Sequence, residues 1–165
     1  MESTMPEKVQ QWHKSQIEGD MGPFDRQLRI SGWKQDQIES SVCLLLGSGG
    51  LGCGVAMGLA RLGVKKIILV DKDVVDTNNL NRQILFSYQH VGMSKCEAAK
   101  KVLMESHRIN PLMEVETYVL DALKQWQTIV KLCDESTVVF NMIDVGEYFD
   151  AAVSALCMQK EKLLI

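Results

Sequence analysis

Gly47-Ser48-Gly49-Gly50-Leu51-Gly52 spells G-x-G-x-x-G between a continuous apolar run and a helix-forming stretch. Glycines at such a junction permit a tight turn and the close approach of a ligand's phosphates or ribose. The helix that opens there offers unpaired N–H groups and positive dipole character. By itself the pattern means a nucleotide and does not separate NAD from ATP. Asp71 follows Gly52 by nineteen positions, at the end of the next apolar run. A carboxylate there can accept hydrogen bonds from the two hydroxyls of a ribose. Beyond it the chain is unusually polar: Asp71-Lys72-Asp73, then Asn78-Asn79-Leu80-Asn81-Arg82-Gln83. A dehydrogenase has no use for this cluster, so Asp73, Asn79, Arg82 and Gln83 join the glycines (Gly47, Gly49, Gly50, Gly52) and Asp71 as nucleotide-binding candidates.

Two further residues carry charge to the same place. Lys95 stands one residue after Ser94, in the first turn of an expected helix, where a cation opposes the helix dipole. Spacing alone leaves it as a solvated surface lysine or as a phosphate ligand. Asp144 ends an apolar run, so it belongs to the carboxyl edge of the sheet, the edge at which open α/β sheets bind ligands. A carboxylate beside phosphates suits Mg²⁺, which keeps waters and takes one or two carboxylates. A turn or cap role is the other reading of Asp144.

These residues need a scaffold, and the chain supplies a β-α alternation. Residues 41–46 (SVCLLL) and 66–70 (KIILV) read as strands buried on both faces, with a helix over 51–62 stopped by Gly63. A polar loop, 71–82, leads to the clearest helix, 94–110, with a Ser94/Glu97 capping box and Pro111 beyond its end. Strands at 114–120 and 137–143 alternate with helices at 122–132 and 146–159, and 163–165 opens a last strand. Before all this, 24–38 reads as a short helix and turn, and 1–23 as an N-terminal arm. The alternation predicts an α/β, Rossmann-like, mostly parallel open sheet with helices on both faces and right-handed crossovers. Because the chain stops within an apparent strand, we expect a piece of a longer domain.

The ordered set FDRQLRI, GSGGLG, LVDKD, NNLNRQILF, VGMSK and Asp144 resembles the ubiquitin-activating-type (ThiF/MoeB/HesA-like) adenylating enzymes. That family includes bacterial activators of sulfur-carrier proteins and eukaryotic activators of ubiquitin-like proteins. The resemblance runs from about residue 24 to the end. It implies an incomplete adenylation domain over 24–165, its first part only. It implies that Gly50 lies against the phosphates of ATP and that Asp71 holds the ribose. Asn79, Arg82 and Lys95 would contact phosphates, and the resemblance makes Arg82, Lys95 and Arg26 the catalytic residues. Asp144 would position Mg²⁺, and Arg26 would reach into the ATP site of a neighbouring subunit, making the protein a homodimer or heterodimer. The implied partner is a ubiquitin-like or sulfur-carrier protein, and the family's catalytic cysteine would be expected beyond residue 165.

Composition sets the remaining bounds. The chain has 165 residues, 46% of them apolar and 24% charged, enough for a packed core. Eighteen Lys and Arg against 21 Asp and Glu give a net charge of −3, which argues against a generally basic nucleic-acid coat. No apolar run is long enough to span a bilayer, and the polar start has no secretory core, so no membrane partner is expected. Five widely spaced cysteines, never C-x-x-C, fit a reducing cytoplasmic setting, with Cys43 and Cys53 as small buried residues.

Overall fold

A computed structural model describes residues 22–107 and 109–165, apart from the side chains of 106 and 107. The expected arm, 1–23, therefore lies almost wholly outside the described residues. The chain divides into two compact units, Met1–Gln35 and Asp36–Ile165. In the first, α1 (Asp25–Leu28) is a single turn held by the Asp25 carboxylate, which accepts from the Arg29 guanidinium at 2.9 and 3.1 Å. α2 (Gln35–Ser40) leads from there into the second unit. The short helix and turn expected over 24–38 is thus two short helices.

The second unit holds β1 (Val42–Leu46), α3 (Gly50–Leu62), β2 (Lys66–Val70), α4 (Lys95–Val102), β3 (Glu114–Tyr118), α5 (Trp126–Glu135), β4 (Val138–Asn141), α6 (Glu147–Gln159) and β5 (Leu163–Leu164). The five strands form one sheet in the order β3-β2-β1-β4-β5, every pair parallel. This is the Rossmann-like open sheet that the alternation predicts. Gly63 ends α3 in the left-handed region at φ 83°, as a C-cap glycine does.

Alternation along the strands sorts the core into two faces. Cys43, Leu45, Ile67 and Leu69 turn to one side, where Cys53, Ala56 and Ala60 of α3 and Cys96, Ala98 and Ala99 of α4 meet them. Leu44, Leu46, Ile68 and Val70 turn to the other, against Ile129 and Leu132 of α5 and Phe149, Val153 and Leu156 of α6. Where α3 and α4 meet the first face, Cys53, Ala56, Ala60, Cys96, Ala98 and Ala99 are small, whereas α5 and α6 bring the larger Ile129, Leu132, Phe149 and Leu156 to the second. All the residues of β1 from Cys43 to Leu46 are almost fully buried, so both faces bear on the strand that delivers the glycine turn.

The register levels the strand ends. Leu46 pairs with Val70 on one side and Asn141 on the other, and Val70 pairs with Tyr118. Gly47, Asp71 and Met142 therefore leave the sheet at one height. Between β1 and β4 the chain switches direction across the sheet, which opens a crevice at that edge. No helix among the described residues is long and apolar enough to cross a membrane.

Three expectations are corrected. The 94–110 helix is α-helical only to Val102 and widens to a π-type turn over Leu103–His107. The helix expected from 122 starts at Trp126, because Asp121 first makes a turn: its carboxylate accepts from Leu123 N at 3.1 Å and its carbonyl from Lys124 and Gln125 N. The Ser94/Glu97 capping box does not form. Ser94 Oγ is buried without a partner, and Glu97 instead accepts from Thr117 Oγ1 on β3. Lys95 N is already satisfied by Asp73 O at 3.0 Å, and Val74 and Ser94 form an antiparallel bridge, so backbone from the loop takes the place of the cap.

Candidate functional site at the carboxyl edge of the sheet

The glycine turn is forced by close contacts. Gly47 has φ 97°, and its N–H donates to Val70 O at 2.8 Å, tying the turn to the end of β2. A Cβ on Gly47 would stand 2.9 Å from Met142 O, and one on Gly52 only 2.3 Å from Gly47 O. These two positions exclude any side chain. Gly49 and Gly50 differ: a Cβ there would meet Gln83 Nε2 at 3.9 Å and Arg82 O at 3.7 Å, ordinary contacts. Their bareness leaves open space over the start of α3, whose N-cap, Gly49, brings no side chain to the first amides.

Asp71 is fastened to that turn. Its Oδ2 accepts from Ser48 N and Ser48 Oγ, both at 2.8 Å, and its Oδ1 from Asp73 N at 2.9 Å. Lys95, first residue of α4, is almost buried, with its side chain 9% exposed, and its Nζ meets Asp73 Oδ2 at 3.0 Å. The carboxylate offsets the cation that the helix dipole would otherwise penalise.

The loop before α4 braces itself. Asp76 caps a single 3₁₀ turn, Thr77–Asn79, accepting from Asn78 N while Asn79 Oδ1 accepts from Asp76 N, both at 3.1 Å. Asn79 Nδ2 donates to Asn78 Oδ1 at 2.6 Å, so this buried amide closes the turn. Arg82 is exposed, and its guanidinium folds back on Asn78 O and Asn81 Oδ1 at 2.9 and 3.2 Å. Gln83 is buried, its Oε1 without a partner.

A cleft of about 250 Å³ opens at this edge, lined by Gly47, Gly49, Asp71, Asp73, Lys95 and Asp144 among others. The structure thus gathers six of the candidates read from the sequence. Asn79, Arg82, Gln83, Gly50 and Gly52 lie outside the wall of the cleft; Arg82 and Gln83 border it through the glycine turn. Arg26 belongs to the first unit, with Nη1 3.7 Å from Asp25 Oδ2. Part of the wall was not legible in the sequence: residues 120–123 and Lys72, whose Nζ bonds Asp121 Oδ2 at 3.1 Å. That ammonium holds the Asp121 carboxyl below the usual carboxylate range, helped by the amides of Leu123 and Lys124. The only signal for this wall was position, since residues after β3 emerge at the level of Gly47.

Among the described residues no three His, Cys, Asp or Glu side chains gather as a metal cage. The donor set nevertheless fits Mg²⁺ held mainly by phosphates and water. Asp144 is exposed in the cleft wall and bonds no described residue, whereas Asp71 and Asp73 are committed to Ser48 and Lys95. All five cysteines are buried free thiols. Burial pushes Cys43 and Cys96 up to about 12, which suits packing residues and not nucleophiles.

The sequence model of the ThiF family matches residues 24–165. The adenylyltransferase and sulfurtransferase UBA4 of Scheffersomyces stipitis is 33% identical over 120 residues, covering 68% of this chain and 26% of UBA4. SUMO-activating enzyme subunit 2 of Dictyostelium discoideum is 44% identical over 70 residues, 42% of this chain and 11% of that protein. Among solved structures, the E. coli tRNA N6-threonylcarbamoyladenosine dehydratase TcdA in complex with ATP superposes with a TM-score of 0.70 at 28% identity, over 86% of this chain and 57% of TcdA. The chain spans about a quarter of the length of the UBA4 relatives it matches.

Proposed function

The chain belongs to the ThiF family, and on that premise we propose that it is the nucleotide-binding first part of an adenylation domain that activates the C-terminal carboxylate of a ubiquitin-like modifier or sulfur-carrier protein. One observation carries this reading: the cleft at the β1/β4 crevice is lined at once by the glycine turn, Asp71, Lys95 and Asp144. A similar protein, TcdA, has been crystallised with ATP.

In the proposed reaction a carrier carboxylate oxygen attacks the α-phosphorus of ATP. A C–O–P bond forms, the bond from that phosphorus to the bridging oxygen breaks, and pyrophosphate leaves. The nucleophile is already ionised at neutral pH, so no general base is required. The remaining demands are in-line placement and stabilisation of charge spreading over the phosphates. The bare amides at the start of α3 receive phosphate oxygens beside Gly49 and Gly50. Asp71 orients the ribose. Lys95 exchanges or shares its Asp73 partner for phosphate oxygen. Arg82 turns from its own loop toward the triphosphate, past Gln83, with Asn79 keeping that loop folded. Asp144 would hold Mg²⁺, which when bound would supply charge screening for the phosphates. Arg26 would serve the site of a second subunit, in a homodimer or heterodimer, in the cytoplasm.

ATP–pyrophosphate exchange with a panel of ubiquitin-like and sulfur-carrier proteins tests this, on the chain and on any longer form of it. Exchange with one carrier supports the assignment. ATP binding without exchange on either form moves the chain to a non-catalytic nucleotide-binding subunit, and no ATP binding removes it from nucleotide chemistry.

A further inference from the structure

We propose that Asp71 takes one ribose hydroxyl and not the pair, and that Ser48 is the positioning residue that imposes this. The inference rests on the reading of the cleft as a nucleotide site. An ionised carboxylate offers about four lone-pair places, two on each oxygen. Both places on Oδ2 are filled by Ser48, through its N–H and its hydroxyl at 2.8 Å each. One place on Oδ1 is filled by Asp73 N–H at 2.9 Å. One place remains, on Oδ1, and Asp71 lies in the cleft wall.

A carboxylate that grips a vicinal diol presents both oxygens outward, one to each hydroxyl. Here Oδ2 is turned into the protein. Ser48 is 1% exposed, so its hydroxyl has no competing water and its donation to Oδ2 is not exchanged for solvent. The Asp71 backbone is held as well: its N–H donates to Tyr118 O at 3.2 Å, and the neighbouring Val70 O accepts from Gly47 N. The carboxylate cannot swing to offer a second oxygen without breaking both Ser48 bonds. Sequence spacing implies a carboxylate for two hydroxyls; the hydroxyl of Ser48, at a variable position of the glycine motif, halves that capacity.

The experiment is calorimetric titration of the full chain with magnesium and ATP, 2′-deoxy-ATP or 3′-deoxy-ATP, in the wild type, Asp71→Ala and Ser48→Ala. In the wild type, loss of the hydroxyl held by Asp71 weakens binding about tenfold, the scale of a hydrogen bond to a charged group. That penalty vanishes in Asp71→Ala and shrinks at least about threefold in Ser48→Ala. The penalty for the other hydroxyl is unchanged in Asp71→Ala and grows in Ser48→Ala, where loss of the Ser48 hydroxyl leaves a place open on Oδ2. If Asp71→Ala folds poorly, the ratios in Ser48→Ala decide, because a merely structural role for Ser48 would weaken all three nucleotides by one factor. The proposal is overturned if both penalties vanish in Asp71→Ala, or if Ser48→Ala leaves both ratios at the wild-type value. The ribose assignment itself fails, and the proposal with it, if Asp71→Ala changes neither penalty.

Discussion

Replacing Gly52 by alanine separates the turn's geometry from simple helix content. The new Cβ would stand 2.3 Å from Gly47 O, 0.7 Å inside the 3.0 Å that real Cβ contacts keep. The obstacle is backbone, so no side chain can give way. The start of α3 must retreat by that amount, or the turn must open. An amide moved 0.7 Å takes a phosphate hydrogen bond from about 2.9 Å to about 3.6 Å, beyond the useful range. Each such charge-assisted bond is worth about 1.5–3 kcal/mol, so losing one weakens nucleotide binding about tenfold to a hundredfold. The strain itself should cost about 1–3 kcal/mol of stability. Gly54, two residues on in the same helix, is the control: a Cβ there meets nothing within 4 Å. Gly54→Ala should stabilise the fold by about 0.5–1 kcal/mol and leave binding unchanged. Urea unfolding and calorimetric ATP titration of both variants read these outcomes. If Gly52→Ala binds ATP within about threefold of wild type, the close approach of helix and turn does not serve the ligand and the reasoning is wrong.

Further outcomes follow from the charges and thiols. Lys95→Ala should lower pyrophosphate exchange by the equivalent of about 2–4 kcal/mol of transition-state stabilisation, whereas Asp73→Asn, which frees the ammonium from its 3.0 Å partner, should tighten ATP binding; weaker binding in Asp73→Asn would remove the proposed exchange of partners. Burial holds Cys43 and Cys96 at about 12 and Cys53 and Cys133 at about 11, so iodoacetamide at about pH 8 should modify no buried thiol in the native protein and all five in urea, as counted by mass spectrometry. On β2 and β3, the hydrogen bond from the Lys66 ammonium, then that from the Tyr118 hydroxyl, holds the Glu116 carboxyl below its ordinary 4.5. Its contribution is complete above 4.5 and fades as pH falls through the lower folded value. Lys66→Met should therefore flatten the acid limb of a stability–pH curve, and an unchanged limb would show the pair to be without thermodynamic effect.

The parts of the fold that were legible in the sequence are those set by local pattern. SVCLLL and KIILV are buried on both faces because helices cover both sides of the sheet, and such runs leave few alternatives. The glycine motif was legible because two of its glycines answer to contacts made within the turn and with the next strand end. What escaped was settled by partners distant in sequence. Glu97 left its capping role for Thr117, twenty residues away on β3. Asp121 delayed α5 by using its own carboxylate and carbonyl to build a turn. Lys95 and Arg82 stood out as cations close in sequence to the glycine motif and its polar loop, but their partners, Asp73 across the loop and the carbonyl of Asn78, follow from side-chain reach that spacing does not encode. Ser48 lay in plain view inside the motif, and only its distance to Asp71 shows what its hydroxyl does.

The unequal faces of the sheet bear on how this domain can drift over evolutionary time. On one side α3 and α4 meet the sheet through the fully buried Cys53, Ala56, Ala60, Ala98 and Ala99, where added methylenes would overpack. A deep mutational scan should find it intolerant of enlargement. The side built on Ile129, Leu132, Phe149 and Leu156 should instead be intolerant of truncation and lenient toward swaps of similar volume. Because α3 and α4, the helices that bring the glycine turn and Lys95, ride on that first side, the scan should find the layer that carries the candidate site the less tolerant of enlargement.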